Sequence, residues 1–293
     1  MTAIIREYKN SLKAIEIEEI LDLVFYRPLA FFFVKLIYKT NITPNQLTLA
    51  AMFIGLIGDV FFMFSSHVMM IFAGLFLIIY DVFDCADGQL ARLKKNGTPV
   101  GRILDGIADY VVTIGAYLAI GTGLSQNAES IAQVWLLVVI AGASNAFHAI
   151  SLDFYRNRFQ DTVQERTVLT EGIEEFREEY NRLKTQPGNY FQKFVLGAYL
   201  RYSSIQNNVT YTEAKNQSLN ANQRKSFYNA NKKIMHLWTY LGPTTQLSFL
   251  IICAFLNRLD IYLWGLIIVG NSYALVLYFS QKQIDKKLKY TGI

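Results

Sequence analysis

Cysteine and histidine are scarce in this chain. Only two cysteines, Cys85 and Cys253, occur among 293 residues, in different apolar blocks and without CxxC spacing. They predict neither a disulfide framework nor a thiolate metal site. The three histidines, His67, His148 and His236, are scattered and form no HxxxH pair. Charge is sparse too, at 17% of residues. No secretory signal peptide is expected, because Met1 to Glu19 is charged and amphipathic rather than an apolar core with a small-residue cleavage site. No internal repeat is visible. What the chain has in quantity is apolar surface: 52% hydrophobic and 14% aromatic residues, in blocks longer than a buried core helix needs. The class is a polytopic α-helical membrane protein. A net charge of +5 is accounted for by basic cytoplasmic loops, and no nucleic-acid partner is expected.

The expected fold is an all-α integral membrane protein of about six transmembrane helices, with an N-terminal interfacial helix and a cytoplasmic helical insertion. Residues 1–24 read as an amphipathic helix and 27–40 as an aromatic, interfacial one. Pro44 ends this region, since it disfavours helix in the residue before it. Spans are predicted at roughly 46–65, 68–93, 101–123, 131–152, 235–257 and 261–281, each near the roughly 20 residues a bilayer core requires. The outer connections then carry one basic residue, Arg258, whereas the opposite side holds Lys94, Lys95, Arg102 and the tail QKQIDKKLKY. That asymmetry places the N-terminus inside. The chain divides into amphipathic and interfacial helices (1–41), spans one to four (42–152), an insertion (153–234) and the last two spans with a basic tail (235–293). The insertion reads either as a solvated helical segment against the membrane or as an acceptor-binding or partner surface. Asn208 and Asn216 open glycosylation triplets that would go unmodified on the cytoplasmic face.

The chemistry concentrates in YDVFDCADGQLARLKKNGTPVGRILDGIADY, Tyr80 to Tyr110. Asp84 and Asp87 are i and i+3 on one predicted helix, and Asp105 and Asp109 are i and i+4 on the next, so each pair shares a face. Gly88, Ala91 and Gly101 are small residues that let a helix or ligand approach. Acids at a membrane boundary mark a functional site by default. Four converging carboxylates need positive compensation, from Arg92 in part and better from a divalent cation. An all-oxygen donor set suits Mg²⁺, Mn²⁺ or Ca²⁺ rather than Zn²⁺. Asp81, one turn before Asp84, either extends the site or meets headgroups. Asp59 and His148 are expected to make interhelical hydrogen bonds rather than to line an acceptor pocket.

The run Asp84-x2-Asp87-Gly88-x2-Ala91-Arg92-x8-Gly101-x3-Asp105-x3-Asp109 resembles the signature of the CDP-alcohol phosphotransferase family at every fixed position, and Thr43-Pro44-Asn45 resembles the family's lead-in to its first span. The resemblance covers about 26–152 and the last two spans. It implies transfer of a phosphate-substituted group from a CDP-linked donor to an acceptor hydroxyl, with release of CMP. It further implies two metal ions, Mg²⁺ or Mn²⁺, held by Asp84, Asp87, Asp105 and Asp109, with Asp109 also the general base. Gly88, Ala91, Arg92, Gly101 and Asn45 would cradle the cytidine diphosphate. The same likeness implies a homodimer and suits a bacterial inner membrane, and the basic asymmetry already puts both aspartate pairs on the cytoplasmic side. Ala141, Gly142, Ala143 and Ser144 would permit close packing of span four.

Donor and acceptor stay open at this level. CDP-diacylglycerol is the favoured donor over a soluble CDP-alcohol. The acceptor is inositol phosphate or another polar alcohol: the phrase DCADGQLARL is closer to the inositol-phosphate branch, but Tyr110 stands where that branch has arginine. Arg102, Tyr110, Arg156 and Lys232 are the acceptor candidates, with Arg158 and Lys233 near them. Two other readings are a UbiA-like prenyltransferase acting on a diphosphate and a cation-coupled transporter. The first shares Asp-rich helices at different spacing, and the second does not explain Asp-Gly-x2-Ala-Arg.

Overall fold

The computed structural model describes residues 7–8, 11–12, 17–164, 168–186, 188–210 and 220–290. The expected amphipathic helix over 1–24 lies mostly outside them, as does the Asn216 triplet. Three of the five prolines open helices, where a missing N–H costs nothing. A π-helical turn at Asp22–Tyr26 leads into α1 (Arg27–Ile37). Next, α2 (Pro44–Phe62) starts with a capping box between Thr43 and Gln46. It is followed by α3 (His67–Lys94), which stops at Lys95 in the left-handed region, φ 51°. Four residues on, α4 (Pro99–Ser125) is capped by Thr98, whose side chain accepts from the Gly101 N–H at 3.0 Å. After these come α5 (Ile131–Gln164), α6 (Val168–Lys184), α7 (Tyr190–Thr210), α8 (Ala221–Trp238) and α9 (Pro243–Phe255). The chain ends in a continuous rod of α10 (Leu259–Trp264), a π segment (Gly265–Gly270) and α11 (Asn271–Tyr290). No strand occurs among the described residues.

Five helical stretches are long and apolar enough to cross a membrane: Pro44–Phe62, His67–Lys94, Pro99–Ser125, Ile131–Val163 and Leu259–Leu288. Only 22–39% of their most apolar windows is buried inside the protein. The remainder, with Phe53, Ile114, Leu136 and Val276 exposed on it, is surface that lipid rather than water must cover. Inside, Leu77, Val112, Ile120, Leu250 and Leu263 form a core shared by α3, α4, α9 and α10.

The expected fifth span, 235–257, is not one helix. Regular helix stops at Trp238, and a 3-10 turn at Thr239–Leu241 leads to Gly242, which is extended (φ −72°, ψ 161°). Pro243 supplies no N–H and disfavours helix in the residue before it. The 13-residue α9 that follows reaches about 20 Å, short of a bilayer core. Its cap comes from far away. Glu19 accepts from the Thr245 N–H at 2.8 Å and from the Thr245 hydroxyl at 2.9 Å, and a Cβ on Gly242 would collide with that carboxylate. A glycine is required there for the acid to come so close.

The fourth span runs further than expected. Its 34 residues extend about 50 Å, so α5 leaves the bilayer as an unbroken rod. In its second half Leu152 and Phe159 pack with Phe227, Met235 and Trp238 of α8 and with Leu277 of α11. Arg158 grips Asp285 by two hydrogen bonds of 2.7 and 3.0 Å. Helices α6 and α7 lean on the start of α4 through Val100, Phe176, Leu183 and Leu196. In span four, Ala141 and Ser144 are buried, Gly142 faces the Tyr117 ring and Ala143 is exposed. Most of that small-residue patch is therefore used within the chain.

Candidate active site

The turn at Lys95–Thr98 sends α4 back alongside α3, which puts both aspartate pairs at the same end of the helices. Each of Asp84, Asp87 and Asp105 offers a carboxylate oxygen, and these oxygens lie within 4.8 Å of one another. Asp87 is buried and accepts a short hydrogen bond from the Thr48 hydroxyl of α2. Asp109 lies one turn further along α4, where the Tyr80 hydroxyl donates to its Oδ1 at 2.8 Å. Carboxylates this close repel one another unless a cation intervenes. The donor set is oxygen alone, and three acids from two rigid helices suit a hard divalent ion.

The small and basic residues of the motif border the same end of the bundle. A Cβ on Gly88 would lie 3.3 Å from Nη1 of Arg92, so the guanidinium lies across this glycine. Arg92 Nε donates to the Ser11 carbonyl at 2.5 Å. At Gly101 a Cβ would come within 2.7 Å of Asn45 Oδ1, which places Asn45 of α2 hard against the first turn of α4. Ala91 faces Gly97 in the turn between the helices.

The residues suggested for the acceptor are not gathered here. Arg102 turns outward to Glu175 at 2.6 Å, with its guanidinium 5.1 Å from the Phe176 ring centre. Tyr110 is 70% exposed. Arg156 pairs with Asp153 at 3.5 Å, Lys232 lies over the Tyr228 ring, and Arg158 is held by Asp285. Lys233 is exposed on α8.

Behind Asp84 and Asp109 an open cavity, about 700 Å³ when the solvent at its mouth is counted, runs between α3, α4, α5, α9 and α10. Asp81 lines this cavity and is buried rather than exposed at the surface. Asp81 also belongs to a second cluster, with Asp22 and Cys85, whose ligand atoms lie within 4.8 Å of one another. Arg27 sits beside that cluster, bonded to Glu18 at 2.7 Å and to Asp22 at 3.8 Å. The Thr244 hydroxyl and the Cys85 thiol both donate to Asp22. Of the intramembrane polar groups, His148 makes the expected interhelical bond, to Asn271 at 2.9 Å. Asp59 does not: both its oxygens are buried against Gly115 without a hydrogen-bond partner among the described residues.

Thr48 and Tyr80 were not singled out from the sequence. Both had a signal: Thr48 is i+3 from Asn45 and Tyr80 is i−4 from Asp84, so each shares a face with a motif residue. The cavity's distant contributors, such as Asn145 and Tyr262, have none.

Residues 41–168 match the family model described as CDP-alcohol phosphatidyltransferase. Phosphatidylinositol phosphate synthase of Corynebacterium glutamicum is 31% identical over 118 residues, which are 40% of this chain and 47% of that protein. The chain therefore spans about half the length of this curated relative.

Proposed function

We propose that the chain belongs to the CDP-alcohol phosphatidyltransferase family, whose model residues 41–168 match, and that it is an integral membrane transferase of phospholipid synthesis. It takes the phosphatidyl group from CDP-diacylglycerol, passes it to the hydroxyl of a polar alcohol and releases CMP. The corynebacterial relative is named for phosphatidylinositol phosphate, which puts inositol phosphate among the acceptors to be compared. The observation that carries this reading is the convergence of Asp84, Asp87 and Asp105 from two helices, with Asp109 one turn on at the cavity.

In this mechanism Asn45, Gly88, Ala91, Arg92 and Gly101 receive the cytidine diphosphate. Asp84, Asp87, Asp105 and Asp109 would hold Mg²⁺ or Mn²⁺, as two ions. When bound, the metal supplies neutralisation of the diphosphate and of the charge that develops on leaving CMP. Glycines 88 and 101 keep Cβ atoms out of the diphosphate's path, and Arg92 adds a fixed positive charge over Gly88. The Tyr80 hydroxyl orients Asp109, which takes the acceptor proton. As the acceptor oxygen bonds to the phosphorus bearing diacylglycerol, the bond from that phosphorus to the bridging oxygen breaks and CMP departs with that oxygen. The basic flanks Lys94, Lys95 and Arg102 support a cytoplasmic site, in a bacterial inner membrane, and the family likeness supports a homodimer. A UbiA-like prenyltransferase or a cation-coupled transporter would leave the family match unexplained.

The test is CMP release by purified full-length protein given CDP-diacylglycerol, Mg²⁺ or Mn²⁺, and a series of acceptors. No release from any CDP-linked donor, by protein shown to be folded, sinks the proposal. Asp109→Asn abolishes turnover while nucleotide binding persists; normal turnover in this variant would remove the general-base role.

A further inference from the structure

The cavity behind Asp109 has a composition that bears on the acceptor. Asp84 and Asp109 line it, whereas Asn45, Gly88, Asp87, Arg92 and Gly101 do not. The metal and nucleotide residues thus face two sides, and a hydroxyl that meets Asp109 from the side away from the nucleotide comes from this cavity. Among the described residues that line it there is no Lys, Arg or His, but there are three carboxylates: Asp81, Asp84 and Asp109. The nearby cation Arg27 is engaged by Glu18 and Asp22.

Resting on the transferase reading above, we infer that the acceptor occupies this cavity and carries no phosphate: it is a neutral or cationic small alcohol, and Asp81 binds its second donor group, a hydroxyl or an ammonium. A phosphomonoester brings about −1.5 to −2 charges. Placed here it would face carboxylates in a partly dry site with no basic side chain to pair it, an arrangement whose desolvation and repulsion cost several kcal/mol. Two divalent ions held by Asp84, Asp87, Asp105 and Asp109 would carry four positive charges against those four carboxylates and the donor's diphosphate, leaving none over for a second phosphate.

Asp81 supplies the positive half of the argument. It is 5% exposed, and its Oδ2 has no hydrogen-bond partner among the described residues. Buried carboxylate oxygens are seldom left so, and one on a cavity wall calls for a donor from the ligand. At the inner end the Tyr117 and Tyr262 hydroxyls lie 3.0 Å apart, and the Asn145 amide donates to Tyr262 at 3.5 Å. These neutral groups exchange hydrogen bonds with hydroxyls and offer an anion no charge.

The experiment uses full-length protein with Mn²⁺ and CDP-diacylglycerol. Inositol, glycerol, serine and ethanolamine are each compared with inositol phosphate and glycerol phosphate. At least one unphosphorylated alcohol is expected to show a kcat/KM tenfold or more above either phosphorylated one. Equal use of both classes, or preference for a phosphorylated acceptor, overturns the inference and leaves the transferase standing. No CMP release with any acceptor or donor removes the transferase reading and this one with it. Asp81→Asn is expected to raise the acceptor KM about tenfold while the CDP-diacylglycerol KM and kcat stay within twofold. An unchanged acceptor KM, or a rise in the donor KM instead, overturns the role of Asp81. Should that variant fail to fold, Tyr117→Phe at the far end carries the same split, with an acceptor KM raised about threefold and an unchanged one counting against the pocket.

Discussion

The two acid clusters that share α3 are neutralised in different ways. Asp84, Asp87 and Asp105 come together with a hydroxyl from Thr48 as the hydrogen-bond donor to Asp87. Asp22, Asp81 and Cys85 form the other cluster, with Asp81 about one helical turn before Asp84, and beside them Arg27 pairs with both Glu18 and Asp22. The second cluster brings its own cation and its own hydroxyl and thiol donors. For the first, the proposed opposite charge is a divalent cation held by the three carboxylates. Proximity of acids therefore says little alone; what supplies the opposite charge separates a site for chemistry from the group of Glu18, Asp22 and Arg27, which fastens the N-terminal segment to α3 and α9, while Asp81 beside it keeps an oxygen for the cavity.

Removing a ligand from the first cluster has the largest effect. Asp87→Asn keeps the hydrogen bond from Thr48 but loses a charge, and it is expected to lower kcat/KM about a thousandfold. Melting temperature should stay or rise, since a repulsive charge has gone. A thermally crippled but catalytically normal variant would erase the distinction between the clusters. Arg27→Met is the converse. It leaves Glu18 and Asp22 buried without their cation and is expected to cost about 3–5 kcal/mol, read as a lower midpoint of thermal unfolding, with the metal requirement of CMP release unchanged.

Glu19 gives the smallest and most specific effect. Burial, with Asp22 adding to it, pushes its carboxyl from 4.5 up to about 7. Between those two values the native protein keeps a proton that the unfolded chain has released. Stability is fullest below about pH 4.5 and falls as pH rises through about 7, by on the order of 3 kcal/mol. Glu19→Gln retains an acceptor for Thr245 and should flatten this slope between pH 5 and 7.5. An identical slope in both proteins would assign the pH dependence to another group.

How much of this was legible beforehand follows from distance along the chain. The aspartate faces, the capped start at Thr43-Pro44 and the membrane class were readable because helix periodicity and proline act within a few residues. The break at Gly242-Pro243 was equally local, yet the apolar block around it suggested one continuous span. The charged cluster around Arg27 and the cavity wall were not readable. Glu19 finds its partner 226 residues away, and Asn145 meets Tyr262 across 117; no spacing rule reaches so far. Asp59 is a different kind of miss: a hydrogen bond was expected on burial grounds, and the surrounding α2–α4 contact at Gly115 supplies no donor.

The reach of Glu19 to Thr245 also orders the assembly of the molecule. Residue 19 leaves the ribosome long before α9 exists, so the cap cannot form until α9 has been made. The pairing of Glu18 with Arg27 and the bond from Cys85 to Asp22 need only residues made earlier, so within this group Glu19 is the acid that must wait for its donor.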